Sequence, residues 1–352
     1  MKIVGGGALL ASKNPIPVSI KRERYTLRDN ILGITGLLKL ELKLLTPLHI
    51  GLRKFRFIKT KPELIPTIAR KPFETAIKEA VNVIEYDYME TVRYGDKICI
   101  PGSSVKGVIR SRTELMALSQ DNINDFCFIV VTPFRGVPQK GMHGWRHFII
   151  WDPAVYELRD SCNPIQTGDY SLCRGCDIFG APGVASRVFF GNFCTSNPNV
   201  VDYLDLDFGE KLEVIKANTV LAGEISFHGL KLSELGVLLI GLGWCPKIND
   251  FKPILMGKSK YRTRIIQNKN IKIILGRAKF TAKSMTILME YLTPDIRNEV
   301  PEIKDEVKGE ELKQLFNKAV DKAAKEYPSL AKRICFSEVE VLEECIKKGL
   351  IS

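Results

Sequence analysis

Alternating leucines predict the first strand of the core. Between residues 37 and 45, charged side chains separate leucines in the way that is typical of a strand with one buried face. The pair Thr46-Pro47 ends this pattern. Shorter apolar runs predict further strands at Lys97–Ile100, Phe126–Val131, His147–Trp151, Val188–Phe193, Leu221–Phe227 and Ile271–Leu275.

The spacing of other apolar residues is helical. It predicts helices at Phe73–Val83, Val105–Leu118, Leu232–Leu242 and 310–327. The core order is therefore strand, helix, strand, followed by strand, helix, strand. We expect an α+β protein with a ferredoxin-like (RRM-like) core, whose sheet carries two helices on one face. The chain turns helical from Met285 onward.

This order divides the chain into three regions. Residues 1–33 are an irregular N-terminal lead-in, residues 34–284 are the core with large insertions at 52–95 and 120–180, and residues 285–352 are a helical C-terminal extension. The N-terminus has one positive charge and a short apolar run broken by glycines, so we expect a loose tail or a first strand rather than an export signal. No apolar run is long enough to span a membrane, and we expect a cytoplasmic protein.

The net charge of +12 is unevenly distributed. Residues 290–352 hold 11 basic and 14 acidic side chains, so they contribute −3 and the rest of the chain carries +15. A large basic body with a mildly acidic tail fits a polyanionic partner such as nucleic acid. The alternative is a basic surface that only keeps the protein in solution.

Nine cysteines, an odd number without an export signal, favour reduced thiols over a disulfide framework. Cys173 and Cys176 form a Cys-x-x-Cys pair, which is a common half of a zinc site. Cys162 and one histidine, His147 rather than His143, would complete a tetrahedral set that braces the second insertion. The alternatives are a redox pair, for which the usual strand and helix context is missing, or unconnected cysteines.

The segment Pro101–Arg110 predicts a tight turn followed by a helix N-terminus. A capping side chain from Ser103 or Ser104, free backbone N–H groups and the helix dipole together favour an anion such as phosphate. Lys106 and Arg110 lie one turn apart and can hold two successive phosphates. The alternative is a well-capped amphipathic helix whose basic face is only solvated.

Two further segments combine cations with aromatic residues. Residues 257–262, with Lys258, Lys260 and Arg262, suit a nucleic-acid backbone and lack the upstream glycine of a nucleotide-binding P-loop. In residues 53–59, cations can grip phosphates and phenylalanines can stack on bases. The sequence contains no nucleophile elbow, no paired-carboxylate signature and no zinc-protease motif.

These motifs in this order resemble the RAMP superfamily of CRISPR-associated proteins, specifically the backbone subunits of type III (Csm or Cmr) effector complexes. The resemblance spans residues 37–280. It rests on Leu44–Gly51, Ile100–Arg110, Cys173–Gly180 with Ser186-Arg187-Val188, Gly223-Glu224-Ile225 and Gly276–Phe280. The second and third elements are specific in combination, whereas the others are weak alone.

The resemblance implies a subunit that binds guide (CRISPR) RNA, stacks with other type III effector subunits and helps to capture target RNA. Residues 120–180 would form a lid braced by a structural zinc ion on Cys162, Cys173 and Cys176. Residues 52–95 would form a thumb that separates guide–target base pairs. The residues that we expect to contact RNA are Gly102, Ser103, Ser104, Lys106, Arg110, Arg53, Lys54, Arg56, Arg187, Lys258, Lys260 and Arg262.

The chain departs from nuclease relatives in one respect. Relatives that cut target RNA use an aspartate in the insertion after the first strand, whereas Glu63 is the first acid here. We therefore expect a binding subunit, because metal-dependent cleavage needs a carboxylate beside the scissile phosphate. The enzymatic alternative is an endoribonuclease that uses Glu63 or Asp87. The alternative outside CRISPR is a zinc-containing RNA-binding module.

Overall fold

The computed structural model describes residues 19–60, 65–117, 123–127, 138–142, 144–151, 161–267 and 269–351, with backbone alone for 52–60 and 80–87. The mixture of helix and sheet confirms the expected α+β class. The strands are β1 (Ser19–Ile20), β2 (Glu23–Arg24), β3 (Ile34–Leu44), β4 (Gly51–Thr60), β5 (Ile84–Thr91), β6 (Arg93–Tyr94), β7 (Lys97–Ile100), β8 (Ile123–Asn124), β9 (Ser171–Leu172), β10 (Val188–Phe190), β11 (Phe193–Thr195), β12 (Val201–Leu206), β13 (Glu210–Ile215), β14 (Val220–Leu230), β15 (Trp244–Cys245), β16 (Asp250–Phe251), β17 (Ile254–Leu255), β18 (Thr263–Ile266), β19 (Ile271–Ile274), β20 (Arg277–Ile287) and β21 (Glu306–Lys308). The helices are α1 (Ile65–Ala69), α2 (Phe73–Val83), α3 (Gly102–Met116), α4 (Trp145–Trp151), α5 (Pro164–Thr167), α6 (Arg174–Phe179), α7 (Leu232–Leu242), α8 (Pro294–Glu299), α9 (Gly309–Glu326), α10 (Pro328–Ala331) and α11 (Glu338–Lys347).

A nine-stranded sheet forms the centre of the protein. Its order is β17-β20-β3-β14-β11-β7-β6, with β10 also paired to β14 and β21 to β20. Strand β3 lies between β20 and β14 and is antiparallel to both. Its side chains at Leu38, Leu40, Leu42 and Leu44 are buried, as the alternation of the sequence predicts.

A second sheet of six strands begins where β3 ends. Its order is β19-β18-β12-β13-β5-β4. Strands β4 and β5 pair antiparallel, and α1 and α2 lie between them in sequence. Strand β5 joins β13 through the parallel pair Met89 and Leu212. The remaining described sheets are the two-stranded pairs β1–β8, β2–β9 and β15–β16.

Helix α7 is the centre of the helical layer. All its residues are buried, because it packs against α3 on one side and α9 on the other. Its bounds are those that the apolar run predicts. Helix α9 buries the predicted stripe of Leu312, Leu315, Phe316, Ala319 and Ala323. One hydrophobic cluster therefore extends from Ile34 in the first core strand to Ile351 at the C-terminus.

Helix α11 is tied to α3 by a buried ion pair. Arg112 donates from Nε to Glu338 Oε1 at 2.7 Å and from Nη2 to Oε2 at 2.9 Å. The Leu255 N–H also donates to Glu338 Oε1, at 3.1 Å. Both charged side chains are almost fully buried, so each one compensates the desolvation of the other.

Several local predictions are wrong. The run His147–Trp151 belongs to α4 and not to a strand, because a short apolar run fits either element. Helix α3 begins at Gly102, and Pro101 rather than a serine occupies its N-cap, with no capping side chain. Strand β20 continues to Ile287, so the helical part begins later than Met285. The predicted strand at Phe126–Val131 is not seen at Phe126 and Cys127, and residues 128–131 lie outside the described ranges.

The expectation of reduced thiols throughout is also wrong. Cys99 and Cys194 form a disulfide between directly opposed residues of β7 and β11. Cys245 and Cys335 form a second disulfide, between β15 and the segment that precedes α11. Spacing could not reveal either pair, because the partners are 95 and 90 residues apart. Of the helices in the described ranges, none combines the length and apolar character that crossing a membrane requires.

We expect Glu338→Ala to lower the free energy of unfolding by about 3–5 kcal/mol, because it leaves the buried Arg112 guanidinium without its partner. The matched control is Glu340→Ala on the same helix. Glu340 pairs with Lys252, and the Glu340 side chain is exposed to solvent. We expect this control to change stability by less than about 1 kcal/mol. Urea unfolding measures both, and equal effects would show that the buried pair does not anchor the helix.

Candidate nucleic-acid interface and metal site

Residues 45–51, which we name the exit segment, connect β3 to the second sheet. Their backbone groups are hydrogen-bonded to several distant parts of the chain. The pairs are Leu45 with Arg277, Pro47 with Gly276, Leu48 with Ile215, His49 with Lys258 and Ile50 with Val92, at 2.8–3.1 Å. The exit segment therefore fixes the positions of β5, β13, β20 and the loop before β18 relative to one another.

An open groove of about 660 Å³ lies beside the exit segment. One wall is the face of α3 that carries Ser104, Gly107, Val108 and Ser111, which share a face because of their helical spacing. The opposite wall and the floor come from the exit segment, β5 and the loop at 257–260. These lining residues are His49, Ile50, Gly51, Met89, Gly257, Lys258 and Lys260. Among the described residues that line the groove, none is acidic.

The loop at 257–262 is held rigidly against the exit segment. The Lys258 N–H donates to the His49 carbonyl at 3.0 Å. Gly257 has φ 77°, and a Cβ there would lie 2.6 Å from the same carbonyl oxygen, so the position requires glycine. Arg264 donates to Ser259 Oγ at 2.9 Å and fixes the other end of the loop.

His49 lies fully buried under the groove. Its Nδ1 is 2.7 Å from the Glu213 carbonyl oxygen, so Nδ1 is the donor and Nε2 carries the lone pair. Burial lowers the pKa of His49, and the nearby Lys258 ammonium lowers it further. Nε2 has no partner among the described residues. Nε2 is therefore a buried, uncharged hydrogen-bond acceptor beneath the groove.

Four cysteines converge next to α6. The Sγ atoms of Cys127, Cys162, Cys173 and Cys176 lie within 4.8 Å of one another, and all four residues are buried. Backbone N–H groups of Cys127 and Cys176 donate to Cys173 Sγ at 3.3 and 3.4 Å. Such N–H groups stabilise thiolate sulfur. The arrangement has the ligand number and ligand type of a closed, tetrahedral site for a thiophilic metal ion.

A family model of the RAMP superfamily matches residues 41–330, which is most of the chain. The chain belongs to the RAMP superfamily. Among solved structures, it is similar to a chain in the crystal structure of the Csm3-Csm4 subcomplex in the type III-A CRISPR-Cas interference complex. The identity is 17%, the TM-score is 0.32, and the match covers 82% of this chain and 98% of that chain. A comparison with curated protein sequences gives no significant match.

Four of the expected cations in the RAMP chain line the groove or lie close to its lining residues along the chain. Lys258 and Lys260 line the groove, and Arg262 ends the same loop. Lys106 directly precedes the groove-lining Gly107 on α3, is half-buried, and forms no ion pair with a described residue. Burial lowers the pKa of Lys106, and Arg110 lowers it further. Ser103 is exposed and Ser104 lines the groove, whereas buried Gly102 packs against the Phe190 carbonyl.

Two arginines that we expected to contact RNA instead form ion pairs and hydrogen bonds within the protein. Arg187 is fully buried, and its guanidinium donates to Asp177 at 2.8 Å and to Glu234 at 2.8 and 2.9 Å. Arg110 pairs with Glu114 at 2.7 Å and donates to the carbonyl of Gly180. We therefore correct the expected interface by removing both arginines. The side chains of Arg53, Lys54 and Arg56 lie outside the described residues.

The predicted metal ligands are partly corrected. Cys162, Cys173 and Cys176 do come together, but the fourth member is Cys127 and not His147. His147 lies on α4, edge-on to the Tyr261 ring at 5.7 Å, and burial lowers its pKa to about 4. The sequence prediction treated residues 147–151 as a strand. In the helix α4 the side chain of His147 points in a different direction, so it does not reach the cysteines. His143 lies outside the described residues.

Proposed function

We propose that this RAMP chain is a guide-RNA-binding backbone subunit of a type III CRISPR ribonucleoprotein, acting in the cytoplasm. The groove between α3 and the loop at 257–262 carries the proposal, because it presents Lys260 and Lys258 in a lining that contains no described acid. Lys260 forms no ion pair with a described residue, whereas Lys258 is paired with Glu210. Phosphate contacts of this kind bind RNA without reading its sequence. Family membership and the motif order support the same function, with other effector subunits as partners.

We also infer a ferredoxin-like core, and the strand order supports this inference. The strands follow the order β20-β3-β14, with β10 and β11 beyond β14 and with α3 and α7 as the connecting helices. This arrangement is compatible with a ferredoxin-like core. The arm formed by β4 and β5 leaves the core at Gly51, which lines the groove. We assign this arm to a thumb that contacts target RNA and residues 120–180 to a lid.

We extend the proposal to a structural zinc ion held by Cys127, Cys162, Cys173 and Cys176. Four sulfur ligands leave no open coordination position, so the ion would brace the lid and supply no chemistry. The nuclease alternative needs a carboxylate from Glu63 or Asp87. Glu63 and the side chain of Asp87 lie outside the described residues, and we propose a binding subunit.

We expect Lys106→Ala and Lys260→Ala each to weaken binding of unstructured RNA to a similar degree for all sequences. Each change removes one phosphate contact, so the slope of log affinity against log salt should fall by about one. Filter binding over a range of salt concentrations measures this. The control is Lys313→Ala. Lys313 lies on α9, pairs with Glu310 and is not among the residues that line the groove. Affinity within about twofold of the unchanged protein at low salt would overturn the proposed interface.

We expect Gly107→Ala to stabilise the protein and to weaken RNA binding. Gly107 lies inside α3, and nothing lies within 4 Å of an added Cβ, so alanine should raise the free energy of unfolding by about 1 kcal/mol. The same methyl group would separate the helix backbone from a phosphate, with a loss of affinity of about tenfold. Equal RNA affinity of both proteins would show that no ligand backbone approaches α3 at this position.

We expect the purified protein to hold one zinc ion. Cys127→Ser should remove the ion and lower the thermal midpoint, because metal binding contributes directly to folding. His147→Ala is the matched control and should keep the ion. Elemental analysis of protein purified without added metal decides the point. Retention of zinc by Cys127→Ser together with its loss from His147→Ala would restore the ligand set that the sequence predicts.

A further inference from the structure

The turn between β12 and β13 carries an aromatic residue where turn chemistry disfavours one. Phe208 has φ 62° and ψ 25°, and the next residue, Gly209, has φ 68°. Two successive residues with positive φ are typical of tight hairpin turns, which favour asparagine followed by glycine. A bulky side chain in the first position is strained.

Phe208 is also strongly exposed. Its exposed fraction is 88%, more than that of any other large apolar side chain in the described ranges. Its neighbours Asp207 and Glu210 are charged, so it does not extend an apolar patch in its own turn. Contacts within the described protein therefore explain neither the strain nor the exposure.

The turn is held rigid from the inside by Arg264, whose side chain is only 1% exposed. Its Nε donates to Asp207 Oδ1 at 2.5 Å, and its Nη2 donates to the Asp207 carbonyl at 2.7 Å. Its Nη1 donates to Glu210 and to Ser259 Oγ. A guanidinium with this many bonds fixes the backbone that presents Phe208, so the position from which the phenyl ring projects is preorganised.

The same contacts attach the turn to the basic loop of the groove. Lys258 Nζ lies 2.6 Å from Glu210 Oε1, and Ser259 belongs to the loop itself. The two acids of the turn are therefore neutralised by Arg264 and Lys258, and they do not repel a phosphate. An exposed aromatic ring beside a basic groove is the usual arrangement for binding single-stranded nucleic acid.

We propose that Phe208 is a stacking platform for a nucleobase of the RNA whose backbone lies in the groove. This inference rests on the proposed function, since it takes RNA as the ligand. It adds a contact that is aromatic rather than ionic. Stacking needs only the face of a base, so it adds affinity without adding sequence preference.

The test is Phe208→Asn, because strain and stacking predict opposite changes. Asparagine tolerates positive φ, so we expect a higher thermal midpoint than that of the unchanged protein. The loss of one stacked base should weaken binding of unstructured RNA by about five- to 150-fold. The salt dependence should stay unchanged, because no charge is lost. RNA that carries 2-aminopurine should lose its protein-induced fluorescence quenching.

Two variants serve as controls. Phe208→Trp keeps an aromatic face and should retain both affinity and quenching. Tyr94→Ala removes another exposed aromatic residue, which is 73% exposed and precedes the turn between β6 and β7, and it should leave RNA binding unchanged.

The outcomes separate this inference from the proposed function. If the unchanged protein binds no RNA, the proposed function fails. If RNA binding depends on Lys106 and Lys260 but Phe208→Asn binds as tightly as the unchanged protein, the stacking inference alone is overturned. If Phe208→Asn keeps RNA affinity but loses self-association in sedimentation, the ring is a protein contact, and the stacking inference is again overturned.

Discussion

The exit segment at residues 45–51 is the constraint on which the groove depends. Its backbone is bonded to both large sheets and to the loop at 257–262. Pro47 has no N–H to donate, yet its carbonyl accepts the Gly276 N–H at 2.9 Å. His49 adds a side-chain bond to the Glu213 backbone. Since the loop, the arm and the second sheet all meet here, any shift of this segment would move each of them relative to α3.

Glu213 shows how the charge at this junction is balanced. Its carboxylate accepts from the Arg93 guanidinium at 2.5 and 2.8 Å and from the Thr91 N–H at 2.8 Å. Burial alone would raise the pKa of this carboxyl, but the bonds from Arg93 and Thr91 outweigh it and lower the pKa. The charge of Glu213 is thus already neutralised inside the protein by Arg93.

Arginine and lysine take different roles in this protein. Arg110, Arg112, Arg187 and Arg264 all make multiple bonds inside the protein, whereas Lys106 and Lys260 form no ion pair with a described residue. A planar guanidinium with five donors suits buried, multiply bonded positions, and a strongly hydrated ammonium does not. Net charge and motif spacing do not distinguish arginine from lysine. The prediction from the sequence therefore counted more cations as available to RNA than the structure exposes.

The sequence predicted the elements that depend on neighbouring residues, but not the contacts between residues that are far apart along the chain. Strand β3, α2 and α7 follow from local periodicity, and their bounds in the structure are close to the predicted ones. The burial of Arg187 depends on Glu234, 47 residues away, and that of Arg112 on Glu338, 226 residues away. Cys127 likewise meets Cys176 only through the fold, 49 residues apart. Side-chain type alone could not indicate any of these partners.

Arg110 connects the cysteine cluster to the groove. Its Nη1 donates to the Gly180 carbonyl at the end of α6, and its Nη2 lies 3.2 Å from Cys176 Sγ. A divalent ion with four thiolates leaves a net negative site, which a buried guanidinium offsets. The same residue stands one turn after Lys106 on α3. The charge of Arg110 is therefore engaged by Glu114 and at the cysteines, and its bonds join α3 to the end of α6.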